Sequence, residues 1–308
     1  MPPTAVDIHQ HLWPEPLLRA LAQRREPPML VRAGRGWTLR LGSEPDAPVD
    51  LADHDPDRRA ALAEADGLGR VLIAPSLPLG VEALPAGEAE PLLAAYHEGV
   101  AALPAPFGAW AAIGVDAPDP AALARLLDEG FAGACVAAGA LAGPAGFERL
   151  GPVLETLERR DAPLLIHPGP AAQAAPQTAP PWWAAMTDYV TTMHAAWYAF
   201  AAWGRPAHPG LRACFAMLAG LAPLHRERLM ARGGRAAGDP GVFLDVSSYG
   251  DRAVDAVVRE IGVDQLVFGS DRPVVAPREL ALGDAVRAAV RDRNPERLLG
   301  RVPVEAAA

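Results

Sequence analysis

Four residues that could share one metal ion stand where apolar runs end. They are His9 and His11 in Val6-Asp7-Ile8-His9-Gln10-His11, His167 closing Pro163-Leu164-Leu165-Ile166-His167, and Asp271 closing Leu266-Val267-Phe268-Gly269-Ser270-Asp271. Imidazole nitrogens combined with a carboxylate are the donor set of a catalytic divalent ion that keeps a position open for water or substrate. In an extended strand, residues two apart face the same side about 7 Å apart along the chain. His9 and His11 are therefore expected to converge on one ion while Gln10 turns away. Asp7 shares their parity and is expected to support a ligand imidazole or a barrel neighbour. The chemistry this set implies is a hydrolytic or lyase reaction at one divalent metal.

Other residues carry weaker signals. Arg272 follows Asp271 directly and could present a two-pronged fork to a substrate carboxylate or form a structural ion pair. His194 lies in an aromatic helix that could cover the site, where it would contact substrate or serve as a partly buried structural residue. Trp182, Trp183 and Trp197 could form an aromatic lid over a planar substrate or pack as core. His225 sits in the charged stretch Leu224-His225-Arg226-Glu227-Arg228 and reads as solvated, and His54, His97 and His208 have no spacing that suggests chemistry. The chain has no lysine, so all 28 basic residues are arginine. Schiff-base catalysis, a P-loop lysine and a carboxylated lysine bridging two metals are thereby excluded.

The elements that must position these residues follow from period and punctuation. Apolar or β-branched runs bounded by turn residues fall at about 5–9, 70–75, 107–115, 132–137, 163–167, 212–217, 242–247 and 265–270. Helix-like segments separate them, among them 56–67, 88–103, 120–130, 146–160 and 252–262, most ending at Gly or Pro. This alternation predicts a (β/α)8 TIM barrel, built as one domain over 1–308. A doubly wound dinucleotide fold would want G-x-G-x-x-G after an early strand, and the chain has none.

Two stretches interrupt the rhythm. Residues 12–55 are too long for a βα loop and contain Gly36 to Gly42, read as a strand or hairpin inserted after strand 1 over the barrel mouth. Residues 168–205 combine a Pro-rich segment with the aromatic lid helix. All four proposed ligands lie at the carboxyl ends of predicted strands 1, 5 and 8, the face on which barrel enzymes build their sites.

A net charge of −9 with no basic run argues against nucleic acid or an anionic membrane as partner. The amino-terminal residues do not read as a signal peptide, and no apolar stretch reaches the roughly 20 residues of a membrane span. Cys135 and Cys214 each lie in an apolar run and are expected to be buried, reduced thiols, consistent with a cytoplasmic protein. The aromatic segment 182–203 is expected to expose enough apolar surface to drive homodimer formation.

Asp-Ile-His-Gln-His, Ile-His-Pro-Gly and Phe-Gly-Ser-Asp-Arg-Pro together resemble the amidohydrolase superfamily. Within it, the chain is similar to the amidohydrolase-related group that includes aminocarboxymuconate semialdehyde decarboxylase and related benzoate decarboxylases. The resemblance spans essentially the whole chain. It implies a barrel whose single ion, zinc or alternatively manganese, is held by His9, His11, His167 and Asp271, and it adds weight to a homodimer. The chain departs from that group at the end of strand 6, where Cys214-Phe215-Ala216-Met217-Leu218-Ala219-Gly220 places Met217 at the position of a proton-handling histidine.

The leading expectation is therefore hydrolysis of a small cyclic or acidic molecule by a metal-activated water, with Asp271 as both ligand and proton carrier. Non-oxidative decarboxylation of a small aromatic or unsaturated acid is the alternative. A binding protein that has lost catalysis is a third reading, prompted by Met217.

Overall fold

The computed structural model describes residues 5–172, 176, 178–235, 238–276 and 280–300. Part of the Pro-rich stretch of the second interruption, 173–175 and 177, thus lies outside the described residues. The first strand, β1 (Ala5–Gln10), leads through α1 (Glu15–Gln23) into three strands of the insertion, β2 (Met29–Ala33), β3 (Gly36–Arg40) and β4 (Ala47–Val49). After α2 (Pro56–Ala65) the chain alternates through β5 (Leu68–Ile73), α3 (Ala86–Ala101), β6 (Phe107–Ala109), β7 (Ala111–Ala112), α4 (Pro120–Asp128), β8 (Ala134–Ala137), α5 (Pro144–Arg159) and β9 (Leu164–His167). Helices α6 (Trp183–Met186), α7 (Asp188–Ala199) and α8 (Arg205–Ala207) precede β10 (Ala213–Phe215) and α9 (Arg226–Ala231). The chain then forms β11 (Val242–Asp245), α10 (Asp251–Ile261), β12 (Leu266–Val267), α11 (Asp284–Ala288) and α12 (Asn294–Leu299).

The two parallel sheets, β1-β5-β6 and β12-β11-β10-β9-β8-β7, are halves of one closed barrel. They join at Trp110, which separates β6 from β7 and donates its amide to Ile73 O at 2.9 Å. They close where Ile8 N–H bonds Phe268 O at 2.9 Å and His11 N–H bonds Arg272 O at 2.7 Å. All eight expected strands are present, counting β6 and β7 as one.

Alternation along the strands builds two apolar layers. Val6, Ile8, Leu72, Trp110, Cys135, Leu165, Cys214, Phe243 and Val267 fill the barrel, while Val71, Ile73, Val136, Ile166, Phe215 and Leu244 face the helices. Both cysteines are free and buried. The buried Trp110 indole donates to Ile8 O at 2.8 Å, so its polar atom is satisfied inside the barrel. Helices start where the sequence provides caps. Asp55 accepts the Arg58 amide ahead of Pro56, and Asp119 accepts those of Ala121 and Ala122 ahead of Pro120.

The insertion is larger than a hairpin. Strand β3 pairs antiparallel with both β2 and β4, and Pro48 is tolerated in β4 because that strand is an edge. Leu30 and Leu39 bury the inner face of this sheet against the main core. Among the described residues no helix is long and apolar enough to cross a membrane.

Candidate metal centre

His9, His11, His167 and Asp271 are brought together at the carboxyl end of the barrel, each offering one ligand atom, all within 4.8 Å of one another. A bulge in β1 makes this possible. Asp7 pairs with Val71 but Gln10 pairs with Ile73, so three steps on β1 match two on β5. Before the bulge Val6 and Ile8 point into the barrel; after it His9 and His11 do.

The bulge also corrects the expected parity of Asp7, which turns away from the interior. Asp7 accepts the amides of His9 and Ser270, both at 3.1 Å, and the Gln10 side chain at 2.7 Å. It therefore fixes the two strand ends through their backbone and touches no imidazole. Gln10 in turn accepts from Arg59 of α2, whose guanidinium also donates to His11 O at 2.7 Å. Burial raises the Asp7 carboxyl above its ordinary range, while burial and the Arg272 charge bring Arg59 down to about 10.

The hydrogen bonds set each ring's tautomer. Nδ1 of His11 faces Ala74 O at 3.0 Å and Nδ1 of His167 faces Pro168 O at 2.7 Å. A carbonyl can only accept, so both protons sit on Nδ1 and leave Nε2 as a lone pair. Nδ1 of His9 meets Asp245 Oδ2 at 2.7 Å in the same manner. The three rings stand nearly perpendicular to one another, with centroids 4.7 to 5.0 Å apart.

Their lone pairs converge. Nε2 of His9 lies 3.1 Å from Nε2 of His11, which lies 3.2 Å from Asp271 Oδ1; that oxygen is 3.6 Å from His9 Nε2. Donors held at about 2.1 Å from one ion would stand roughly 3.0–3.4 Å apart, so the spacing fits a divalent metal. With Nδ1 of His9 and of His11 each engaged by an oxygen, the two Nε2 atoms 3.1 Å apart need a proton or a metal ion between them, and the Asp271 oxygen beside both completes a donor set that fits a divalent ion.

Charge shapes the cluster. Burial works against protonation of His9, but Asp245, Asp271 and Asp7 outweigh it and lift the imidazole to about 9. His167 is driven well below its ordinary value by burial and by the charges of His9 and His11. Burial would raise Asp271, yet His11 beside it at 3.2 Å and the charge of a protonated His9 hold its carboxyl below the usual range. Asp271 itself adopts φ +59°, Ser248 +66° and Met217 +45°, left-handed conformations that side chains rarely take and that cluster at functional sites.

The other residues singled out in the sequence are placed as follows. The Arg272 fork reaches Asp66 at 2.8 Å, the structural ion pair that was one of its two expected roles. His194 spends its Nε2 proton on Gly220 O at 2.6 Å and so pins α7 to the loop after β10. Trp182 is 58% exposed, with Trp183 as its ring neighbour, while Trp197 packs against Phe215 in the core. Met217 stands at the end of β10 as expected. Its amide donates to Asp245 Oδ1 at 2.8 Å.

Three features escaped the sequence reading. Asp245 closes β11 as His167 closes β9, and that shared position was the available signal. Tyr189 of α7 donates to Glu44 of the insertion at 2.7 Å, tying lid to insertion within reach of the Asp271 charge. His54 stacks on Trp13 with ring centroids 4.5 Å apart and accepts the Trp13 amide at 3.1 Å. Burial and the Arg59 charge lower it to about 4, keeping it neutral.

No protein-family model and no curated protein sequence matches the chain. Solved structures do. Metarhizium anisopliae IDCase in apo form is 16% identical with a TM-score of 0.78, covering 96% of this chain and 97% of the other. A 2,6-dihydroxybenzoate decarboxylase complexed with 2,6-dihydroxybenzoate is 19% identical with a TM-score of 0.68, covering 96% and 99%. A 5-carboxyvanillate decarboxylase from Novosphingobium aromaticivorans, complexed with manganese and 4-hydroxy-3-methoxy-5-nitrobenzoic acid, is 16% identical with a TM-score of 0.71, covering 96% and 95%. At these identities the likeness speaks for architecture, and the architecture agrees with the three sequence motifs. The chain shares the barrel fold of these solved structures.

Proposed function

We propose that this chain is a metal-dependent decarboxylase of a small aromatic or unsaturated carboxylic acid. The observation that carries the reading is the convergence of three imidazole lone pairs and one carboxylate at the mouth of a barrel shared with solved decarboxylases of aromatic acids. A divalent ion, zinc or manganese, held by His9, His11, His167 and Asp271 would supply Lewis acidity to a substrate carboxylate and a neighbouring oxygen.

The chain's own residues manage orientation and the proton. Loss of carbon dioxide breaks a carbon–carbon bond and leaves the electron pair on carbon, which must gain a proton. Asp271 is the carboxyl at hand: Oδ1 faces His11, while Oδ2, 3.4 Å from the Ser248 hydroxyl, is left to relay it. His54 lies near enough to feel the His11 charge, and Tyr189, bonded to Glu44, near enough to feel that of Asp271, so both stand close to the ligands. We propose as well that the protein works as a homodimer in a reducing compartment. The exposed Trp182 and Met186 and the two free thiols support this, and light scattering that returns a single-chain mass would sink the dimer.

Hydrolysis is the second reading, favoured by one observation. Asp271 is held ionised, which suits a group that takes a proton from an attacking water. Incubating the metal-loaded protein in isotopically heavy water with 2,6-dihydroxybenzoate and 5-carboxyvanillate, and separately with small lactones and cyclic amides, separates the two. Decarboxylation gives carbon dioxide equimolar with the shortened product and no heavy oxygen in it. Heavy oxygen in the product without carbon dioxide indicates hydrolysis, and binding without turnover indicates a non-catalytic protein.

A further inference from the structure

The chain after β10 runs left-handed for five residues. Met217, Leu218, Ala219, Gly220 and Leu221 have φ of +45°, +51°, +52°, +60° and +66°. Only Gly220 is indifferent to that region; in the other four a Cβ crowds the following carbonyl, so such residues visit it singly and not in runs. A turn of this kind persists only where its surroundings hold it. Leu218 and Ala219 are sealed in the core, and the Ala219 amide closes on Ala216 O at 2.9 Å. Helix α7 supplies further hold. His194 Nε2 donates to Gly220 O at 2.6 Å and the Tyr198 hydroxyl to Ala222 O at 3.1 Å. Gly220 lies so close to α7 that a Cβ there would stand 3.1 Å from Val190 O and 3.2 Å from His194 Cδ2.

At its other end the turn meets the metal centre. The Met217 amide donates to Asp245 Oδ1 at 2.8 Å, and Asp245 Oδ2 stands 2.7 Å from His9 Nδ1. We propose that His194 is a positioning residue for the metal centre: by holding the left-handed turn from α7, it keeps the Met217 amide on Asp245 and so keeps the His9 ring aimed at the other ligands. If the turn relaxed to right-handed φ, the direction of the Met217 N–H would change and Asp245 would lose that donor. The carboxylate would then be free to shift, and the imidazole it orients would shift with it. The inference rests on the metal centre and not on the reaction performed there.

The test reads three quantities in the full-length protein: the His9 Nδ1 proton by NMR without metal, metal affinity by chelator competition, and melting temperature. A sealed imidazole proton bound to a carboxylate resonates far downfield, and its loss in His9→Gln identifies it. His194→Phe keeps a ring but loses the donor; it should shift that resonance and weaken metal affinity about three- to ten-fold. His194→Gln, which still donates, should stay within about two-fold of the parent. Ala219→Gly relieves the turn. It should cost less melting temperature than Ala89→Gly, a similarly buried alanine in the right-handed helix α3, because glycine is unstrained at positive φ. Combined with His194→Phe, it should restore both resonance and affinity, since a relaxed turn needs no latch. The proposal is overturned if folded His194→Phe keeps the parent's resonance and affinity, if Ala219→Gly costs as much as Ala89→Gly, or if the double variant recovers neither. A parent that binds no metal contradicts the metal centre alone; the proton resonance of the metal-free protein still decides whether His194 positions His9.

Discussion

Asp245 Oδ2 stands 2.7 Å from Nδ1 of His9, with both side chains sealed from solvent. The other oxygen accepts from the Met217 amide at 2.8 Å, the Ser247 amide at 3.0 Å and the Ser247 hydroxyl at 2.5 Å. Asp245 is thus held by two strand ends and holds the ring of the first ligand, fixing its tautomer. Asp245→Asn should lower metal affinity about 10–100-fold while the barrel stays folded, as loss of an imidazole's supporting carboxylate generally does. Competition with a chelator measures it, and unchanged affinity would remove Asp245 from the account.

Gly269 is required by the same pair. A Cβ there would lie 2.9 Å from Asp245 Oδ2 and 2.9 Å from His9 Cβ, closer than real side chains approach. Gly269→Ala should therefore destabilise the protein by about 1–3 kcal/mol, the range for overpacking, and weaken metal binding at the same time. Denaturant titration with and without metal checks both, and a variant as stable as the parent would contradict the packing shown here.

Glu82 gives the fold a pH dependence. It is 2% exposed, its Oε1 has no partner, and burial pushes its carboxyl up to about 8 from an ordinary 4.5. Below pH 4.5 both folded and unfolded chains carry the proton and no penalty exists. Between 4.5 and 8 the unfolded chain ionises freely while the folded one resists, so stability falls as pH rises, by about 3 kcal/mol at pH 7. Glu82→Gln removes that loss. Melting curves should show the variant more stable than the parent at pH 8 and little different at pH 4, and equal stability at pH 8 would refute the burial argument.

The barrel was legible because its strands are short apolar runs punctuated by turn residues, and the ligands because each closes such a run. Asp7 was misread because a β-bulge changes side-chain direction without leaving a mark in composition. Asp245 lay in plain view in Val242-Phe243-Leu244-Asp245, but an aspartate before Val-Ser-Ser reads as a turn residue until the His9 ring is seen against it. The Arg272 fork could be assigned only once Asp66, 206 positions away, was in place. The Tyr189–Glu44 contact joins an insertion to a lid across 145 positions, a separation no local pattern encodes. Strand β2 was missed because Pro27-Pro28 masks the start of Met29–Ala33 as loop.

The central claim is that His9, His11, His167 and Asp271 hold one divalent ion. Elemental mass spectrometry of the protein purified from metal-replete medium tests it most directly, with the His11→Ala, His167→Ala and Asp271→Asn proteins alongside. The account predicts about one equivalent of zinc or manganese per chain in the parent and little in the variants, since three imidazoles and a carboxylate make a complete catalytic donor set. A folded parent with no bound metal, and none gained on dialysis against zinc or manganese, would contradict it.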